Sequence, residues 1–411
     1  MAEIAASGRA LTGLTEEMKD YFITEDLLKH IFFKTRQDVK VLERDSSYDT
    51  GDIVYTEKIP DGYKMVCIKT GISGMQESDT IHVPRAQHIY GMVLFEEGNK
   101  QGQWFRIDKN QNIVSFNSEH GTWANIKTIS NSNGEFIEIP ITYVKNEKFT
   151  DGPFIGRNCW WIADGPEDGF HVHPCFIGKD GQPHNLQIAS WLTSKNSNKP
   201  QSIDKGTGAN KYWNNVLYDD INTSSSLLNV GEENGYRAYN IYDHHFLSRM
   251  MLTEFGTSNV QDQTIDGVSW NGNNRINYHG IHDIFGMNAI NCWIDGITIT
   301  NNTYHILKNN GSGEIIDTEI EHPNSSNIFP ENCLLTTGNG FDFGDIFIAS
   351  NNNSIEKNGS FADKQIILEA GTENAPLITW SESSINGAFS LSFSDTATTS
   401  TLNTWRIVKC S

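Results

Sequence analysis

Three histidine-bearing stretches carry residue types that could hold a metal ion. "HVHPC" sets His171, His173 and Cys175 at alternate positions, which an extended strand would turn to one face. "HGIHD" offers His279 and His282 with Asp283 beside them, and His244 and His245 fall in a stretch of helical pattern. Zinc chemistry requires three or four such ligands converging at about 2.0–2.3 Å. The other reading of each is a histidine held in the core by hydrogen bonds.

Other chemistries have weaker support. "GxSxG", a Walker loop and "HExxH" are all missing from the chain. The carboxylate pairs Asp219-Asp220 and Glu232-Glu233 lie in polar loop sequence and read as solvated. With 31 Lys and Arg against 51 Asp and Glu, the net charge is −20. A nucleic-acid partner is therefore not expected, because phosphate recognition relies on clustered cations. No window is long and apolar enough to span a bilayer, and the first residues lack a signal-type apolar run. No membrane partner and no cofactor are expected. The six cysteines (Cys67, Cys159, Cys175, Cys292, Cys333 and Cys410) are scattered, as free thiols in or near a core would be.

The elements that must position these residues are mostly short. Asn, Ser, Thr and Gly fill the chain between well-spread aromatics, which predicts an α+β protein of short strands, long loops and few helices. Residues 1–45 read as helical: Thr24 as cap, Glu25 and Asp26 in the first turn, Leu27, Leu28, Ile31 and Phe32 on one face, and Lys34 and Arg36 near the end. This is expected to be an attachment or oligomerisation segment. Residues 46–82 read as a small β module, with strands at Ile53–Tyr55 and Tyr63–Ile68 and a turn at Pro60-Asp61-Gly62. The third region, 83–411, contains the strongest helix signal, "DHHFLSRMMLTEFG". There Asp243 is the expected N-cap, Phe246, Leu247, Met250, Met251, Glu254 and Phe255 follow helical spacing, and Gly256 is the stop.

Three motifs then fall in order: "LTEFGTSNVQ" from Leu252, "GVSWNGNNRINYHGIHDIFGMNAINCWIDGITI" from Gly267, and "ITWSESSINGAFSLSFSDTATTSTLNTWRIVKC" from Ile378. Together they resemble the phage-associated group with a C-type-lectin-like fold, related to the formylglycine-generating enzyme. That group carries an acidic-aromatic-Gly motif at a helix end, then "Y-R-G-I-E-x-x-F-G-N-x-W-x-W-x-D-G", then a Trp- and Gly-containing segment running to a final Arg. Upstream, "IYGMVLFEEGNKQGQWFRID", "GEFIEIPITYVKNE" and "DGFHVHPCFIGKDGQ" are similar to its opening strands, so the resemblance covers about 83–411. The unit at 46–82 resembles a module of phage fibre and appendage proteins. The chain departs from the group at His279 and His282, which stand where an Arg and an acid are usual, and at "FGMNAINCW", which lacks one aromatic. "APLITWSESSINGAF" also lacks the paired glycines, although Trp380, Gly387, Phe389 and Arg406 hold their places.

The resemblance implies scaffold roles for Glu254, Gln261, Tyr278, Gly280, Phe285, Gly286, Trp293, Asp295, Gly296 and Arg406. The glycines are expected at turns or close backbone approaches. Ile281, Ile284, Phe285, Trp293 and Ile294 are expected in the core. Asn288, Asn291 and Asp295 are expected to serve Tyr278 and Trp293, and Glu254 and Gln261 to tie loops through backbone bonds. "HVHP" matches a strand of the group in which the histidine belongs to the fold, so no metal is expected. The sugar-binding triplets "EPN" and "QPD" and a downstream "WND" are missing, and late cysteines in an enzymatic context are lacking, so no catalytic residue is expected. Binding is expected in the segment before the last strand, at Trp380, Ser381, Glu382, Ser383, Ser384 and Asn386.

The resemblance thus implies a virion protein assembled in the bacterial cytoplasm. It would be a tail-fibre or receptor-binding component that recognises the host surface without catalysis, joined to other virion proteins through its N-terminal segment, as a homotrimer. The alternatives are a head fibre, capsid decoration or tail adaptor, and an enzyme of formylglycine or glycan-cleaving type.

Overall fold

β-Branched and aromatic residues recur at short intervals along this chain, and short strands are what they build. A computed structural model describes residues 80–95, 102–196, 199–204, 217–229, 234–258, 260, 276–284, 291–301, 303–308, 311–321 and 403–410. It also describes short strand segments at 39–41, 47–48, 53–55, 63–67, 72–73, 264–265, 268–269, 337–338, 341–342, 365–367, 375–378 and 391–393. The architecture is α+β and mainly β: several sheets and, among the described residues, the three α-helices Gly121–Ala124, Ile221–Ser226 and Ile241–Phe255. No described helix is long and apolar enough to cross a membrane.

Two compact units divide the chain, Met1–Ala86 with Gly165–Val172, and Gln87–Asp164 with His173–Ser411. The first unit runs to Ala86, and 165–172 returns to it. Part of the return contact is visible in Arg85, which donates to Glu167 at 2.9 Å, and in the Ala86 amide, which donates to the Pro166 carbonyl at 3.2 Å.

The first unit holds a four-stranded sheet. Ile53–Tyr55 pairs antiparallel with Tyr63–Cys67, close to the expected strands, and Tyr63–Cys67 pairs with Thr80–Pro84. Val39–Val41 lies parallel to Ile53–Tyr55, in the register Val39 to Ile53. The end of the segment expected to be helical is thus a strand: Val-Lys-Val is β-branched at alternate positions and extends the edge that Ile53–Tyr55 offers. The expected helix from Thr24 to Arg36 and the turn Pro60–Gly62 lie outside the described residues.

In the second unit, a five-stranded antiparallel sheet runs in the order Tyr236–Ala238, Ile407–Cys410, Leu186–Ala189, Gly134–Ile139, Lys127–Asn131. The strand Ile407–Cys410 sits inside this sheet rather than at its edge. Phe136, Ala189, Tyr236, Ala238 and Ile407 of the sheet form one core cluster with Ile221, Trp293 and Trp405. A second run of antiparallel strands, Tyr143–Lys148, Asn158–Ala163, Ile89–Leu94 and Trp104–Ile107, contributes Met92, Val93, Trp160 and Ile162 to the core.

The helix Ile241–Phe255 is buried from Ile241 to Thr253 and packs on Ile89–Leu94, Asn158–Ala163 and Asn291–Thr300. Its N-cap is Asn240, not Asp243. The Asn240 side chain accepts from the amides of Tyr242 (3.0 Å) and Asp243 (3.1 Å), and the Asp243 carboxylate accepts from the Asn240 amide at 2.8 Å. Both residues are cap-type, and the reciprocal box places the helix start three residues earlier than Asp243. At the other end, Gly256 is the C-cap, and Arg106 donates to the carbonyls of Thr253 (2.6 Å) and Glu254 (2.9 Å), where the helix dipole favours a cation. Replacing Asn240 by alanine is expected to remove about 1 kcal/mol of stability, measurable by urea unfolding.

Candidate functional site

The site is built on the hairpin Asn277–His282 and the strand Asn291–Thr300. Tyr278 pairs with Ile281, leaving His279 and Gly280 as a two-residue turn with φ of 49° and 89°. Positive φ at both positions is the geometry that suits the strand twist, and Gly280 supplies one of them without strain. A side chain there would also meet Ile137. Gly296, at φ 82°, sits where the pairing of Asn291–Thr300 with Ala375–Ile378 shifts register between Ile294 and Thr298. A Cβ on Gly296 would meet Leu307 Cβ at 3.1 Å, so Gly296→Ala is expected to lower stability by about 1–2 kcal/mol, read from the urea midpoint.

Ile281, Ile284, Trp293 and Ile294 are buried, in the places expected of them. Arg406 is buried and donates to the carbonyls of Ala189 (2.6 Å), His282 (2.5 Å) and Asp283 (3.3 Å). Its guanidinium thus joins the approach to the last strand, the central sheet and the "HGIHD" turn. Asp295 bridges to Asn240, its amide donates to the Tyr239 carbonyl at 2.9 Å, and its carboxylate accepts from Asn222 at 2.7 Å. Glu254 ties the hairpin through the His279 imidazole at 2.9 Å instead of through a backbone group. The Tyr278 hydroxyl faces the Trp123 indole and the Glu254 carboxylate. Burial, and then that carboxylate, push its pKa well above the ordinary phenol value.

The histidine stretches lead to separate environments. His282 is stacked on Trp191, with centroids 3.6 Å apart and planes 7° apart, while its neighbour His279 is held by Glu254. His173 caps the turn Pro174–Phe176 by accepting from the Cys175 amide, and packs on Phe246 at 5.0 Å. Since the strand before it ends at Val172, the alternate-face geometry expected of "HVHPC" does not form. Burial lowers the pKa of His244 to about 4; His245 is lowered well below the ordinary value by burial and then by His244, His173 and Arg249. Among the described residues no three or more His, Cys, Asp and Glu side chains converge as a metal would require. Cys159, Cys175, Cys292 and Cys410 are buried.

Sequence reading missed the pair Arg237–Asp243. Arg237 donates both guanidinium nitrogens to the buried carboxylate, one at 2.7 Å, and also reaches the Cys175 carbonyl at 3.3 Å. Burial opposes the Arg237 charge, and Asp243 outweighs it, so the guanidinium stays firmly protonated. The available signal was "YRAYNIYD", an arginine six residues before a helix-start aspartate. Arg237 is among the residues lining a cleft of about 270 Å³, together with Asn222, Ser225 and Ser226 of the helix Ile221–Ser226, Ile177 to Lys179, and Leu307 and Lys308. Gln261, Phe285, Gly286, Asn288 and the expected binding residues Trp380, Ser381, Glu382, Ser383, Ser384 and Asn386 lie outside the described residues. Comparison of the chain with protein-family models and with curated proteins finds no match.

Proposed function

We propose that this chain is a bacteriophage virion protein whose large C-terminal region has a C-type-lectin-like fold, and that it recognises the bacterial surface as a tail-fibre or receptor-binding component. The observation that carries the reading is the meeting of separated motif residues around buried polar groups. Arg406, the final arginine of the motif set, bonds to the His282 and Asp283 carbonyls of the middle motif. Asp295 of the same motif is bridged to the N-cap of the helix that leads into "LTEFG". A scaffold of this kind holds loops rigidly, and rigid presentation lowers the entropy lost when loops bind.

In this reading recognition is reversible and falls to Trp380, Ser381, Glu382, Ser383, Ser384 and Asn386. An aromatic among Ser, Asn and an acid makes adaptable contacts with sugars or protein epitopes. The N-terminal segment joins the chain to other virion proteins, and the assembly is a homotrimer. The test is binding of labelled full-length chain to a panel of bacterial hosts, with isolated surface polysaccharide as competitor and its chain length checked afterwards. Saturable, competed binding with intact polysaccharide is expected. Shortened polysaccharide would point to a glycan-cleaving enzyme, and a folded chain that binds no host would point to a head fibre, capsid decoration or tail adaptor.

A further inference from the structure

The cleft lined by Arg237 has no role in the recognition of hosts proposed above. We propose that it is a binding site for a compact organic anion that also carries hydroxyl groups, of the size of one acidic sugar ring. Its volume of about 270 Å³ lies just below the range of about 300–1,000 Å³ usual for drug-sized ligands, which suits a single ring.

The polar groups of the lining are of two kinds and stand at two junctions. Where the loop 177–179 meets the backbone of Gly311, Lys179 and Lys308 line the cleft. Lys179 is exposed and has no carboxylate partner among the described residues. Lys308 is paired with Glu314 at 2.7 Å, but Glu314 is 58% exposed, and such surface pairs exchange partners at little cost. In a chain of net charge −20, Lys179 and an exchangeable Lys308 give an anion two cationic partners at one rim.

Where the helix Ile221–Ser226 meets the strand Asn291–Thr300, the Asn222 amide donates to the Asp295 carboxylate at 2.7 Å. A carboxylate here repels a simple anion and accepts hydrogen bonds from hydroxyls. A ligand with a negative end and a hydroxylated end satisfies both junctions, whereas an inorganic anion or an apolar molecule satisfies one at most. Ile315, 47% exposed although large and apolar, gives the carbon-bound face of such a ring a surface to rest on.

The test uses the full chain, galacturonate as probe and glucose as the uncharged comparison, followed by calorimetric titration. Saturable one-to-one binding of galacturonate is expected, with glucose weaker by about tenfold or more. Lys179→Glu is expected to weaken galacturonate about tenfold and leave glucose unaffected, while Asn222→Leu weakens both. Thermal unfolding checks that each variant is folded; Lys179 is exposed, so its variant is expected to melt with the parent chain. No saturable binding by folded parent chain, equal affinity for the two sugars, or galacturonate binding unaltered by both substitutions would overturn the proposal.

Discussion

Arg406→Met is expected to destabilise the second unit by about 4 kcal/mol. The arginine donates to three backbone carbonyls, of Ala189, His282 and Asp283, and its side chain is almost wholly shielded from water. Methionine fills comparable space and removes the donors, leaving those carbonyls with the desolvation cost of unmade bonds, about 1–3 kcal/mol each. A loss of that size is a large part of the 5–15 kcal/mol, roughly, that holds a domain together, and it should lower the melting temperature by about 10 °C. Arg406→Lys retains the charge but not the planar fork, so it should fall between the two. Urea unfolding followed by tryptophan fluorescence checks the series; a methionine variant as stable as the parent would mean that the three carbonyls find other partners.

Acid should weaken the fold through His244 and His245, well above the range in which ordinary carboxylates titrate. Both imidazoles are buried in the central helix, and burial holds His244 to about 4 and His245 well below the ordinary value of 6.5. Between pH 6.5 and about 4 the unfolded chain therefore binds more protons than the folded one, and stability falls as pH falls. The contribution is complete above 6.5; for His244 alone, the shift of about 2.5 pK units corresponds to about 3 kcal/mol lost by pH 4. Asp243, whose carboxyl burial pushes upward against the pull of Arg237, titrates with the opposite sign at the acid end. Comparison with His244→Gln isolates the histidine. From pH 6.5 to 5 the variant's stability should fall less steeply than the parent's, by about 1 kcal/mol per pH unit. Identical slopes would mean that His244 reaches water or a proton acceptor in the folded state.

Local pattern made part of this architecture legible. The spacing from Phe246 to Phe255 with Gly256 behind it marked the helix, and the resemblance put Trp293 and Ile294 in the core, where they are buried. The helix start slipped because Asn240 and Asp243 are both good caps, and only their reciprocal bonding decides between them. The strand at Val39–Val41 was hidden because its partner, Ile53–Tyr55, is not adjacent to it in sequence. Pairings between distant residues left no trace in spacing: His282 on Trp191, Asn222 with Asp295, and Arg406 with Ala189 depend on sheet order. The cleft is the extreme case, since Lys179, Asn222, Arg237 and Lys308 come from four separate stretches. The histidines of "HGIHD" were legible as a set, but one hydrogen-bonds and the other stacks, which a linear pattern cannot distinguish.

The most direct test of surface recognition is to bind the full chain, and a variant carrying Trp380→Ala, Glu382→Ala and Asn386→Ala, to a susceptible bacterial host while measuring both unfolding midpoints. The predicted result is saturable binding by the parent chain, a drop of about tenfold or more in the variant, and matching midpoints. Undiminished binding by a folded variant would contradict the account, because recognition would then lie elsewhere than in the segment before the last strand.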